Sequence, residues 1–222
     1  MSMTAEHSFK PRPRIESLSD LVFGLALSIG ALTLIGQQPQ TFEALIAALA
    51  LYSFSFLILV SVWRSYSTIT SILPAETETL ISLNIALLFI VSIEPFLFNE
   101  LFAQNGSMFY GVSLIYPIDL AAMFIIIAFF NHSLADEEKN RVPKDQLKKY
   151  RFARNYNLLI AGVFLISIAP FFATIYVFQV TVGGMLYAVP LRVLIWILAL
   201  VVGWGRRILG KTNRSQNKQD LT

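Results

Sequence analysis

Six apolar runs, each long enough to cross a lipid bilayer, take up nearly all of the chain between Leu18 and Arg207. A helix covers a hydrocarbon layer of about 30 Å with roughly 20 apolar residues. The runs fall at 18–35, 41–63, 79–101, 106–130, 155–177 and 184–205. Among the 17 Lys and Arg residues, three precede run one, one follows run two, seven lie between runs four and five, and five follow run six. The segments after runs one, three and five hold none, and the remaining cation, Arg192, sits inside run six. An even-numbered topology therefore puts every loop and tail positive on one membrane face, the cytoplasmic one by the positive-inside rule. Shifting the count by one helix would scatter them over both faces. The sequence thus predicts an all-α integral membrane protein with six transmembrane helices per subunit and both termini in the cytoplasm.

On this reading 1–17 is a cytoplasmic tail, 18–207 the transmembrane domain with a cytoplasmic loop at 132–154, and 208–222 a second cytoplasmic tail. Composition agrees: the 222 residues are 55% hydrophobic and 14% charged, too little polar surface for a water-soluble domain. The first run is too long for the apolar core of a cleaved leader. The chain has no cysteine, so disulfides, thiolate metal sites and cysteine nucleophiles are excluded. His7 and His132 stand apart, and no phosphate-binding glycine loop, catalytic triad or H-E-x-x-H pattern occurs. The basic residues alternate with acids and lack an aromatic platform, which argues against nucleic acid and for contact with membrane lipids. The expected class is therefore a membrane protein that is no enzyme and carries no cofactor or resident metal.

Three sets of polar residues stand out against this apolar background. Arg14, Ser19 and Asp20 open the first span; a carboxylate in the first turn of a helix is favoured by the macrodipole and costly deeper in lipid. Arg14 and Asp20 are six residues apart and do not share a helical face, so each needs a partner elsewhere. Alone, these residues read as a helix cap and a positive-inside anchor. Further along, Leu25, Ser28, Ile29 and Leu32 recur at i, i+3, i+4 and i+7 and form one stripe. Such a stripe suits either a helix–helix contact or the wall of a narrow pore that gates by dewetting, and periodicity does not separate the two. Small residues at Gly24, Ala26, Ser28, Gly30 and Ala31 offer places where helices can approach closely. Finally, Glu94, Asp119 and Arg192 are ionisable residues at membrane depth, where pairing or function is the rule. An ion pair of Arg192 with Asp119 or Glu94 is expected, and the same three residues would suit a secondary transporter or proton-coupled carrier.

The run Arg14…Leu18-Ser19-Asp20, leading into Leu21-Val22-Phe23-Gly24-Leu25-Ala26-Leu27, resembles the first span of the transmembrane protein 175 family of lysosomal potassium channels and their prokaryotic relatives. Leu83-Asn84…Leu87-Leu88-Phe89-Ile90…Pro95-Phe96 is similar to that family's third span, and Trp63 falls where the family carries a tryptophan. The likeness covers roughly the first hundred residues. It departs at Leu18, where the family has phenylalanine, and after Trp63, where Tyr66 or Ser67 stands near the place of a family histidine. The resemblance implies a potassium-preferring cation channel of the single-repeat prokaryotic type, a homotetramer in the plasma membrane. Its pore would be formed by span one around a symmetry axis, with no TVGYG filter. It implies a hydrophobic gate at Leu25, with Ile29 and Leu32 as further constrictions, and a hydroxyl at Ser28 near the permeating potassium ion. Arg14, Ser19, Asp20, Trp63 and Asn84 would form a structural network bracing that helix.

Overall fold

The computed structural model describes residues 14–37, 41–72, 78–102, 109–135, 144–182 and 185–201. Its helices are α1 (Arg14–Gln37), α2 (Phe42–Thr70), α3 (Glu78–Phe102), α4 (Phe109–Ala135), α5 (Lys144–Ile166), the short α6 (Pro170–Thr174) and α7 (Leu191–Val201). Between α6 and α7 lies an antiparallel hairpin of β1 (Tyr176–Val182) and β2 (Met185–Pro190). Among the described residues four helices, α1 to α4, are long and apolar enough to cross a membrane.

Local chemistry explains the boundaries. Thr41 sits in extended conformation before α2, and its hydroxyl accepts the Ala44 amide at 3.2 Å, an N-cap. Glu43 and Glu78 lie in the first turns of α2 and α3, where the helix dipole favours them. The second span was expected to end at Trp63, yet α2 continues to Thr70. In its polar last turns Ser65, Thr68 and Thr70 fold their hydroxyls back onto the carbonyls of Ser61, Arg64 and Tyr66, which satisfies these side chains within the helix.

The fifth and sixth spans need correction. The expected helix at 155–177 instead starts at Lys144 and stops at Ile166. Ser167 folds its hydroxyl onto the Phe164 carbonyl at 2.6 Å, and Pro170 cannot continue the helical ladder. The segment expected to begin span six at 184 contains a strand, and the helix begins only at Leu191, after Pro190. Among the described residues the hairpin is also the one departure from the expected all-helical fold. Tyr176–Val182 is rich in β-branched and aromatic residues, and Val182 pairs with Met185 across a two-residue Gly-Gly connection.

Helix α4 forms the centre of the bundle and packs most extensively on α5 and α3, while α1 lies at the edge against α2 and α3. The core joins Phe23 and Ala26 of α1 to Ile58, Leu59 and Val62 of α2. It continues through Leu87 and Val91 of α3 to Leu120, Met123 and Ile127 of α4, then Phe164 and Trp196.

Candidate pore helix and its supporting network

Helix α1 has two opposed faces. Ser19, Phe23, Ala26 and Gly30, spaced four, three and four apart, are buried against the bundle. At Gly30 the helix comes close to α2: a Cβ there would stand 3.4 Å from the Tyr52 ring, in ordinary contact. The opposite face carries Leu18, Leu21, Leu25, Ser28, Ile29 and Leu32, all exposed in the subunit. Of the small residues, Ala26 and Gly30 thus serve helix packing, whereas Gly24, Ser28 and Ala31 lie on the open side. The Ser28 hydroxyl donates to the Gly24 carbonyl at 2.8 Å. Its proton is thereby committed to the backbone, and the lone pairs of its oxygen point to electropositive partners.

The buried face is fixed by polar contacts at one end of the bundle. Ser19 Oγ and Tyr66 Oη share a hydrogen bond of 2.8 Å, and Asn84 Nδ2 donates to Ser19 Oγ at 3.3 Å. One turn further out, Trp63 Nε1 donates to Asp20 Oδ1 at 3.0 Å. Ser19, Asp20, Trp63 and Asn84, expected to form one network, are brought together from α1, α2 and α3. Arg14 opens α1, and its side chain lies outside the described residues. Tyr66 is the member that sequence reasoning did not assign. Its ring also lies 5.9 Å from Phe23 and 6.2 Å from Phe130, so one side chain touches α1 and α4 while bonding to Ser19. Its spacing from Trp63, three residues along the same helix, was the available signal.

A second polar group lies deeper. Glu94 of α3 is fully buried and accepts hydrogen bonds from Ser55 Oγ at 2.9 Å and Tyr116 Oη at 3.0 Å. A carboxylate at membrane depth demands such donors, and that demand was the signal for Ser55 and Tyr116. Asp119, one turn along α4 from Tyr116, is buried with Oδ2 lacking a hydrogen-bond partner.

The expected pairing of Arg192 with Glu94 or Asp119 is replaced by another arrangement. Arg192 donates Nε to the Ser167 carbonyl at 2.7 Å, Nη2 to the Ile168 carbonyl at 3.1 Å, and Nη1 to the carbonyl and hydroxyl of Ser113 at 2.7 and 3.0 Å. The reason is backbone supply and demand. Ser167 and Ile168 lie just past the end of α5, where carbonyls have lost their helical donors. Within α4, Pro117 lacks the N–H that would have bonded Ser113, four residues earlier. One guanidinium thus serves three carbonyls, and Trp196 Nε1 adds a bond to Ser167 Oγ at 2.8 Å. Among the described residues no group of three or more His, Asp or Glu side chains could hold a metal ion, and His132 is contacted by Arg154 at 3.3 Å.

Comparison with known proteins completes the description. Residues 14–95 match the sequence profile of a family described as the endosomal/lysosomal potassium channel TMEM175. The fold matches the crystal structure of a lysosomal potassium-selective channel TMEM175 homologue from Chamaesiphon minutus. The two superpose with a TM-score of 0.56 at 17% identity, over 87% of this chain and 96% of that one. Curated protein sequences gave no match. The matched stretch runs from the start of α1 to Pro95 of α3, the part that holds the open stripe and its braces, and over these residues the chain is similar to the TMEM175 family.

Proposed function

We propose that the chain is one subunit of a potassium-preferring cation channel, a homotetramer of the plasma membrane whose pore is walled by four copies of α1. The reading is carried by the division of α1 into a braced face and an apolar face with no partner in the subunit. A helix held on one side by buried hydrogen bonds presents its other side at a fixed angle. Leucines and isoleucines turned toward an axis make a throat from which water withdraws when it narrows, so the gate is hydrophobic. Leu25, Ile29 and Leu32 supply that constriction. Ser28 supplies an oxygen whose proton is turned to Gly24, a partial substitute for hydration around a passing potassium ion. No TVGYG segment occurs in the sequence, so selectivity falls to this helix. Both tails and the 132–154 loop lie in the cytoplasm, with α5 and α7 supplying the fifth and sixth spans. The family is one of ion channels, and no enzymatic chemistry or cofactor is assigned to this subunit.

A secondary transporter built on Glu94, Asp119 and Arg192 is the alternative. Arg192 is engaged by backbone carbonyls and α1 is unbroken, whereas carriers place broken helices around a midplane site. The test is purified protein in a planar bilayer under opposed potassium and sodium gradients. Unitary current steps reversing toward the potassium potential are expected. Saturating flux with no resolvable unitary conductance would overturn the channel and favour the carrier.

A further inference from the structure

The open face of α1 extends beyond the stripe already assigned to the pore. Leu21 is its most exposed large apolar residue at 67%, followed by Leu32 at 61% and Leu25 at 58%, whereas Ile29 reaches 39%. These values follow helical position. At about 100° per residue, Leu21, Leu25 and Leu32 fall within about 40° of one another, while Ile29 lies about 60° from their mean direction. The centre of the unpartnered face therefore runs through Leu21, Leu25 and Leu32, with Ile29 at its edge. Neighbours of Leu21 fix this angle: Ser19 points into the bundle to Tyr66 and Asn84, and Asp20 is tied to Trp63. With residues 19 and 20 both anchored on α2 and α3, residue 21 is directed away from the subunit.

We propose that Leu21 lines the conduction path as a further hydrophobic ring, about one helical turn toward the α1 N-terminus from Leu25. The proposal rests on the channel reading above and specifies a lining residue that reading does not include. A leucine at this level lengthens the dry section of the path, so an ion entering from the N-terminal side sheds water one turn earlier.

The chain contains no cysteine, so single cysteines can be placed in an otherwise silent background. Leu21→Cys and Leu25→Cys channels would be recorded in planar bilayers while silver ion, a thiophilic cation close to potassium in size, is added from the side of the N-terminus. Mass spectrometry of the recovered protein gives the extent of modification. Expected is loss of current in both L21C and L25C, with L21C reacting at least as fast. Modified L21C with unchanged current beside a blocked L25C overturns the proposal and leaves the channel reading standing. Insensitivity of both modified variants overturns both. Leu21→Ser supplies a second reading without silver: a larger unitary conductance supports the ring, and an unchanged one refutes it.

Discussion

Removing one oxygen from Tyr66 tests whether α1 is braced as described. The ring is 2% exposed, and its hydroxyl meets Ser19 Oγ at 2.8 Å across α1 and α2. Tyr66→Phe keeps the ring and its contacts with Phe23 and Phe130, and deletes the hydroxyl that meets Ser19. A buried neutral hydrogen bond is worth about 1 kcal/mol net, and Asn84 still serves Ser19, so the cost per subunit stays near that figure. In a chain of this size 1 kcal/mol lowers the thermal midpoint by about 2–4 °C. Tyr66→Ala also removes the ring, at about 3–5 kcal/mol, a fall on the order of 10 °C. Thermal unfolding of purified protein in detergent, followed by tryptophan fluorescence, reads both. Ser19→Ala completes a double-mutant cycle: with the serine gone, Y66F adds little, and the coupling is about 0.5–1.5 kcal/mol. Additive losses in S19A/Y66F, or a Y66F as damaging as Y66A, would refute the claim that this bond is the link between the two helices.

Three further outcomes follow from the same geometry. Leu25→Ala is expected to raise unitary conductance and loosen potassium over sodium discrimination in reversal-potential recordings, since a shorter side chain widens the dry ring. Glu94→Gln, which keeps an acceptor for Ser55 and Tyr116, is expected to be tolerated. Glu94→Leu strands two buried hydroxyls at about 1–3 kcal/mol each, a difference visible in thermal midpoints. Arg192→Met is expected to destabilise the subunit more than any single hydroxyl deletion above. Adding Pro117→Ala should recover part of the loss, because alanine restores an N–H for the Ser113 carbonyl; no recovery in the double variant would refute this account of Arg192.

Much of the architecture was legible in the residues themselves. Hydrocarbon thickness sets the length of an apolar helix, and the first four runs became α1 to α4 within a few residues, apart from the polar extension of α2. The Ser-Asp start of α1, Trp63 and Asn84 carried the family signature, and those side chains meet in space. Hydropathy does not distinguish an apolar strand from an apolar helix, so 176–177 and 184–190 read as the ends of two spans. The alternation of Tyr176–Val182 and the Gly-Gly pair were the period-2 signals that hydropathy masked.

What the chain order determined alone was which segments are apolar, where the charges collect and which end of α1 is polar, because each depends on neighbours along the backbone. Tertiary structure decided the partners. Only packing brought Tyr66 to Ser19 and Ser55 to Glu94, and only the loss of helical donors at Pro117 and past Ile166 turned Arg192 from the carboxylates to carbonyls. A buried polar group takes whichever complementary atom the fold sets within about 3 Å, and such distances between residues remote in sequence are not encoded in their spacing.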